Sequence, residues 1–260
     1  MLTGVRELAS HRDLLINWTI RDIKVRYKQS FLGAAWAVLQ PLSATLIFTV
    51  IFSMFVPIPT DGIPYPIFYY SALLPWTFFA TAISFGVNSL VNNMHLVTKV
   101  YFPREILPFS AILASFVDFL IASLIFIAML IFYRYSVSPS FIWIIPLLLV
   151  QIMLTTGIVL LSSALTVFYR DIRFVVPLGL QLWMYLTPVI YPLSTVPERF
   201  LPVYMLNPMV SLIDSYRRVI LLGQAPQLPY FLLAALVSGL LLLGAYLYFK
   251  RAEAVFADII

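Results

Sequence analysis

Long runs of apolar residues, separated by short polar connections, dominate the pattern of this chain. Each run is close to the roughly 20 residues that an α-helix needs to cross the hydrocarbon core of a bilayer. The pattern predicts an all-α polytopic membrane protein with six transmembrane helices in a single domain, 1–260. The bundle covers 32–249, with a cytoplasmic segment, 1–31, before it and a cytoplasmic tail, 250–260, after it. The predicted spans are 32–56, 66–91, 107–132, 141–167, 174–191 and 229–249.

The segment before the first span is basic and amphipathic. Across 12–31, apolar side chains recur at spacings of three and four from Ile16 to Tyr27, with charged residues between them. This spacing is typical of a helix that lies in the plane of the membrane interface. The part from Ile23 to Lys28 also alternates strictly between apolar and polar residues, so a strand is an alternative there.

A broken, charged stretch follows the predicted fifth span. Residues 182–223 begin as an apolar run, are interrupted by Pro188 and Pro192, and then carry several charges. In hydrocarbon every backbone amide and carbonyl needs an internal partner, so such a segment must lie in water or line a cavity walled by protein. We therefore predict a re-entrant or surface-lying hairpin between spans five and six that shapes the mouth of a pathway.

Composition supports a membrane protein and removes several classes of function. Of the 260 residues, 62% are hydrophobic and 10% are charged, whereas a soluble domain carries about a quarter charged residues. The absence of cysteine excludes disulfides and thiolate metal sites, and His11 and His95 are isolated, so no metal site is predicted. The net charge of +5 comes from basic residues that flank the spans, so nucleic acid is not an expected partner.

The distribution of Lys and Arg predicts the orientation. Twelve of the 16 basic residues fall on the side of the predicted topology that holds both termini. By the positive-inside rule both termini are cytoplasmic, which places the 182–223 hairpin on the outer face. No cleavable signal peptide is expected, because the first thirty residues carry six Lys or Arg and no short apolar core before a cleavage site.

Asp118 is the one ionisable residue that falls deep inside a predicted span. An intramembrane carboxylate is a candidate functional residue, because burying it without a partner is costly. The alternative is a structural hydrogen bond to Ser115, Ser123 or another helix, which we favour because the span offers no second carboxylate for a proton relay. The sequence also offers no paired carboxylates or nucleophile with a base, so we do not predict an enzyme.

Aromatic side chains make up 16% of the chain. Trp and Tyr normally mark the two membrane interfaces. Trp183, Tyr185 and Tyr191 lie in or beside the broken fifth span, where rings that face a lumen could stack on sugars. Sequence alone leaves both interpretations open.

Several segments, in order, carry a resemblance to a known family. The chain is similar to the ABC-2 permease subunits of bacterial polysaccharide exporters, which export O-antigen, capsule or teichoic-acid chains. The resemblance covers essentially the whole chain, and its strength comes from the order of the segments. They read RDIKVRYKQSFLGAAWAVLQPL, VTKVYFPREILP, FYRDIRF, LTPVIYP and NPMVSLIDSYRRVIL.

The resemblance implies partners that the chain does not contain. A permease of this kind sits in the bacterial inner membrane as a homodimer and binds two cytoplasmic ATP-binding cassette subunits. ATP and Mg would be bound by those subunits, and this chain has no G-x-x-x-x-G-K-[ST] loop. The implied substrate is a lipid-linked polysaccharide.

The resemblance also implies roles for residues by position. Coupling to the ATPase would involve Asn92, His95, Lys99, Arg104 and Glu105. The translocation path would be lined by Trp36, Gln40, Trp183, Tyr185 and Tyr191. The outer gate would contain Pro192, Glu198, Arg199, Pro208, Asp214 and Arg217. Positive charge for a lipid-diphosphate head at the cytoplasmic entrance would come from Arg21, Lys24, Arg26 and Lys28.

Other classes of function are kept as alternatives. An ABC-2 exporter of a small lipid, drug or haem would share the architecture but need a smaller, drier pathway. A membrane transferase acting on polyprenyl-linked sugars is disfavoured because no paired acidic or His-containing cytoplasmic motif is present. An ion-coupled transporter would show internal repeats and several intramembrane charges.

Overall fold

Helices form the regular structure of the computed structural model, which describes residues 10–28, 30–60, 62–99 and 102–256. Within those ranges the secondary structure is helical and contains no strand. The ends of the predicted terminal segments, 1–9 and 257–260, lie outside the described residues. The α-helices are α1 (Arg12–Tyr27), α2 (Trp36–Val50), α3 (Tyr65–Gly86), α4 (Met94–Lys99), α5 (Ile106–Phe132), α6 (Ile144–Phe168), α7 (Ile172–Tyr185), α8 (Leu201–Tyr204), α9 (Pro208–Ile220) and α10 (Leu228–Glu253).

Five helices in the described part of the chain are long and apolar enough to cross a membrane, whereas six were predicted. The predicted fifth span, 174–191, is the 14-residue α7, which is only about 21 Å long. It stops shortly before Pro188, because proline cannot continue the hydrogen-bond ladder and disfavours helical backbone in the residue before it. The chain is therefore a multi-pass membrane protein, but six spans are not confirmed. The five helices are Gly33–Phe55, Tyr65–Gly86, Ile106–Phe132, Pro139–Phe168 and Leu228–Glu253.

Helix α3 lies at the centre of the bundle, packed against α2, α5, α6 and α9. It has the lowest hydropathy of the five candidate spans and is the most buried. A polar side chain facing lipid would lack partners, whereas the protein interior can supply them. Tyr70, fully buried, donates to the carbonyl of Ala122 at 3.1 Å, and the buried Gln151 of α6 donates to the carbonyl of Pro75 at 2.7 Å. The polar and aromatic content of α3 thus fits its central position.

Helices α6 and α10 form the most extensive pair in the fold. They approach closely at Gly157, where a Cβ atom would lie 3.0 Å from the backbone nitrogen of Leu242 and 3.1 Å from its Cα. Backbone cannot move aside as a flexible side chain can. The absence of a side chain at Gly157 therefore sets the distance between these two helices.

A Gly157→Ala substitution is expected to destabilise the fold by about 1–3 kcal/mol, because the added methyl group forces α6 and α10 apart. The matched control is Gly244→Ala in α10, where a Cβ would meet nothing within 4 Å. That change is expected to be neutral or to stabilise by about 0.4–1 kcal/mol. Unfolding in detergent measures both, and equal transition midpoints would contradict the close approach.

Helix α1 docks on α5. It is helical throughout Arg12–Tyr27, so the strand alternative is wrong for Ile23 to Tyr27. Asp118, which contacts its C-terminal end, lies twelve residues beyond the start of α5, which is about 18 Å along that helix. The end of α1 therefore lies beside the middle of α5. Its predicted position in the interface plane stays a prediction.

Candidate functional site

The segment 92–105, predicted to couple to a partner, connects α3 to α5. It continues from the 3-10 turn Val91–Asn93 into α4. The side chains of Asn92 and His95 are exposed, so this face is accessible to another protein. The side chain of Lys99 lies outside the described residues.

The first end of this segment is attached to α1. Arg21 Nη2 donates to Asn93 Oδ1 at 2.8 Å, and Asn93 Nδ2 donates to the carbonyl of Ser89 at 2.8 Å. The Arg21 guanidinium also lies 4.0 Å from the ring centroid of Trp18. This attachment is an exposed hydrogen bond, which water can compete for.

The other end of the segment is attached to α10 by a group of charged and polar side chains around the buried Glu105. Glu105 is 0% exposed; its Oε2 lies 2.8 Å from Lys250 Nζ, and its Oε1 accepts from the hydroxyl of Tyr246 at 3.2 Å. Lys250 also contacts Glu253 Oε2 at 2.9 Å, and Glu253 Oε1 accepts from the backbone N–H of Arg104 at 3.1 Å. The Arg104 guanidinium donates to the backbone carbonyl of Glu253. We call these five residues the C-terminal polar cluster.

The electrostatics of Glu105 reflect its burial. Desolvation raises the pKa of the Glu105 carboxyl above its usual range, although the ammonium of Lys250 and the hydroxyl of Tyr246 oppose this effect. The burial cost is offset because Oε2 lies in ion-pair contact with Lys250 and Oε1 accepts a hydrogen bond from Tyr246. Removing one partner alone would leave a buried charge without compensation.

Asp118 is paired with α1. Its Oδ1 accepts from the hydroxyl of Tyr27 at 2.6 Å, and its Oδ2 contacts the Arg26 guanidinium. The hydroxyls of Ser115 and Ser123 donate to carbonyls of their own helix instead. The predicted structural hydrogen bond therefore exists, and its partners are on another helix.

Arg26 differs from the other basic residues predicted at the entrance. Its side chain is 12% exposed, lies against Asp118, and stacks 3.8 Å from the ring centroid of Phe85. Arg26 is therefore paired inside the fold, and its predicted place at the entrance stays a prediction. The remaining three, Arg21, Lys24 and Lys28, are exposed and line one shallow groove on α1 with Asn17, Ile20 and Val25.

The break after α7 is organised by Arg217 of α9. Arg217 is 6% exposed and donates to the carbonyls of Pro188 at 2.6 Å, Val189 at 2.7 Å and Tyr191 at 3.2 Å. Its guanidinium lies 3.7 Å from the ring centroid of Phe68. These carbonyls follow the end of α7, so they cannot accept the hydrogen bonds of a continuing helix. A planar group with several donors therefore acts as a cap for the broken end.

The other residues predicted at the outer gate have different environments. Glu198 and Arg199 are exposed on the 3-10 turn Glu198–Phe200, whereas Pro192 and Pro208 are buried. Asp214 is partly buried on α9, one turn before Arg217. The charged stretch is thus an exposed turn followed by a buried helix.

The residues predicted to line a path fall into two groups. Trp36, Gln40 and Tyr185 are exposed on the surface of the chain. Trp183 is held inside it: its ring packs edge-on against Phe79 at 5.2 Å between centroids, and its Nε1 donates to Asn207 Oδ1 at 2.9 Å.

Tyr191, like Trp183, is held by hydrogen bonds within the chain. Its hydroxyl donates to the Tyr185 carbonyl at 3.0 Å and lies 2.7 Å from the hydroxyl of Tyr204.

Sequence reasoning missed the partners of these groups. It counted Lys250 only among the basic residues that set the orientation, and it did not single out Tyr246, Glu253 or Gln151. The only local signal was the Lys250 and Glu253 pair at i, i+3. Contacts of this kind between distant elements leave no pattern along the chain.

Comparison with known proteins gives a consistent result. The family described as ABC-2 type transporter matches residues 14–221. The O-antigen export system permease protein RfbA of Myxococcus xanthus is 32% identical over 261 residues, which cover 99% of both chains. A protein of the same name from Klebsiella pneumoniae is 34% identical over 81% of both chains. The polysialic acid transport protein KpsM of Escherichia coli is 25% identical over 90% of this chain and 92% of its own.

Proposed function

The chain belongs to the ABC-2 type transporter family, and from this premise we propose that it is the membrane subunit of an ATP-driven exporter of a cell-surface polysaccharide. The observation that carries the proposal is similarity over 99% of both chains to an O-antigen export permease. The substrate is a lipid-linked polysaccharide such as O-antigen, moved across the bacterial inner membrane. The chain is a transport subunit, and its termini lie on the cytoplasmic side.

The ATP-hydrolysing partner is a separate cytoplasmic subunit, present in two copies, that binds ATP and Mg. Its contact is the 92–105 segment, where Asn92 and His95 are exposed. The attachments of this segment to α1 and α10 support the role, because a segment that transmits movement has to be joined to the bundle.

The transporter forms as a homodimer across α2 and α7. Both helices present exposed apolar side chains, among them Ile47 of α2 and Leu178 of α7. Trp36, Gln40 and Tyr185 lie on the same two helices and line the path at the dimer axis. The hairpin 192–222 forms the outer gate, with Arg217 holding its broken end.

A hydroxyl-rich polymer cannot dissolve in hydrocarbon, so it needs a continuous path with hydrogen bonds and aromatic faces. Weak, repeated contacts let the chain slide without a tight site. Closure of the ATP-hydrolysing subunits moves the 92–105 segments, and this movement advances the polymer. The exposed basic groups of α1 receive the diphosphate of the lipid carrier.

The entrance role of α1 gives a direct prediction. Lys24→Met with Lys28→Met is expected to reduce export of diphosphate-linked polymer about tenfold, because it removes two charges from the groove. Arg12→Met, which removes an exposed charge elsewhere on the same helix, is the control. Export from inverted vesicles at several polymer concentrations measures the effect, and equal losses in both variants would contradict the assignment.

The proposed function is tested by reconstitution. The chain is purified with its cognate ATP-hydrolysing subunit and placed in sealed vesicles, and ATP-driven entry of a lipid-linked polysaccharide is measured. Entry that requires ATP and the partner is the expected result. If polymer stays outside while a small lipid or drug is moved or stimulates ATP hydrolysis, the polysaccharide assignment is wrong and only the ABC-2 architecture remains.

A further inference from the structure

The C-terminal polar cluster joins two elements that are far apart in the sequence. Arg104 and Glu105 end the 92–105 segment, and their partners lie on the last two turns of α10. The contact between the Arg104 backbone and Glu253 spans 149 positions. The cluster fixes this junction with two ion pairs to Lys250 and hydrogen bonds to Glu105 and Glu253.

We propose that the C-terminal polar cluster is a rigid joint through which movement of the 92–105 segment drives α10. This inference rests on the function proposed above, since it names the span that receives the movement. The two ends of the segment are attached unequally. The Arg21 to Asn93 contact is exposed, whereas Glu105 is 0% exposed and lies 2.8 Å from Lys250 Nζ, so displacement at the α10 end is the harder to absorb locally.

The packing of α10 allows it to transmit such a displacement to α6. Around the joint, Phe249 and Phe256 are fully buried in a cluster with Ile106, Leu107 and Leu160. Further along, α10 meets α6 at the close contact of Gly157. Packed helices of this kind shift as units, because their interiors do not deform continuously. Movement of Glu105 therefore displaces α10 and α6 together.

The test separates coupling from folding by measuring two rates in the same vesicles. Glu105→Gln and Lys250→Met each remove one charge of the joint. The control is Arg251→Met, which removes a charge from the next position of α10, where the side chain is exposed. In the reconstituted complex, ATP hydrolysis is expected to continue while polymer exported per ATP falls about tenfold in both joint variants. The control is expected to export as much polymer per ATP as the unaltered chain does.

Cross-linking provides a second test of the proposed joint. The chain contains no cysteine, so a Glu105→Cys and Lys250→Cys pair offers a unique site for a bifunctional thiol reagent. Export per ATP is expected to be low before cross-linking and to recover after it, because a covalent link replaces the joint. Single cysteine variants treated with the same reagent show no recovery.

Several outcomes would overturn the joint. An unchanged ratio of export to ATP hydrolysis in both charge variants contradicts it, as does a cross-linked pair that folds and binds the partner without regaining export. Variants that lose the partner subunit, rather than the coupling, show that the cluster is only a structural contact. If the unaltered chain exports no polymer, the proposed function itself fails, and this inference fails with it.

Discussion

Replacing Arg217 by methionine is expected to destabilise the fold by about 3–5 kcal/mol, because two buried carbonyls and one partly buried carbonyl lose their donor at once. Methionine fills much of the same volume beside Phe68 but donates no hydrogen bond. Helix α7 ends at Tyr185, so it supplies no replacement hydrogen-bond donors for the carbonyls of Pro188, Val189 and Tyr191. Unfolding of the purified chain in detergent measures the loss, and export by the reconstituted complex is expected to fall with it.

A matched variant sits one residue further along the same helix. Arg218 is only partly buried and donates to the side chain of Gln224 at 3.0 Å and to the carbonyl of Ala225. Arg218→Met is therefore expected to cost about 1 kcal/mol. Arg217→Lys should fall between the two, because an ammonium cannot reproduce the planar fork that reaches separate carbonyls. Equal losses at 217 and 218 would show that Arg217 does not hold the break.

Replacing Asp118 by alanine is expected to destabilise the chain by about 3–5 kcal/mol, since it leaves the Arg26 cation with no counter-charge. The pair is largely shielded, with side chains 12% and 16% exposed. Tyr27 loses its acceptor in the same variant. The expected structural result is release of the end of α1 from α5, measured as a lower unfolding midpoint and faster proteolysis within 12–27.

A double variant identifies the cause. Asp118→Ala combined with Arg26→Met removes both charges, so it is expected to be more stable than Asp118→Ala alone by about 1–3 kcal/mol. Ser123→Ala is the control on α5, because that hydroxyl donates only to the carbonyl of Phe119. If the double variant loses the full sum of the two single effects, the charges do not interact and the pairing is refuted.

Much of the architecture follows from local sequence. Residue runs such as 107–132 and 229–249 are apolar and close to 20 residues long, so their helices were predicted within a few positions. The break near Pro188 was also predicted, because proline acts on its own neighbours. The predicted fifth span was longer than the observed helix. Residues 186–191 are still mostly apolar, although the helix ends at Tyr185.

The environments of individual site residues did not follow from sequence. Arg26, Lys24 and Lys28 belong to one basic stretch, yet one pairs inside the fold and the others remain exposed. Arg217 and Arg218 are adjacent, yet one is buried and the other is not. A helix turns by about 100° per residue, so neighbours point to different surroundings, and only packing decides which surroundings those are.

The sequence by itself determined the membrane class and the positions of five long apolar helices, because apolar length and proline position act locally. The tertiary structure decided that α3 is the central helix, that Asp118 pairs with Arg26 across 92 positions, and that Glu105 meets the end of α10. Such contacts depend on how whole helices pack. The neighbours of a residue along the chain do not specify which helix it will contact. The apolar spans were therefore predictable, whereas the contacts between helices were not.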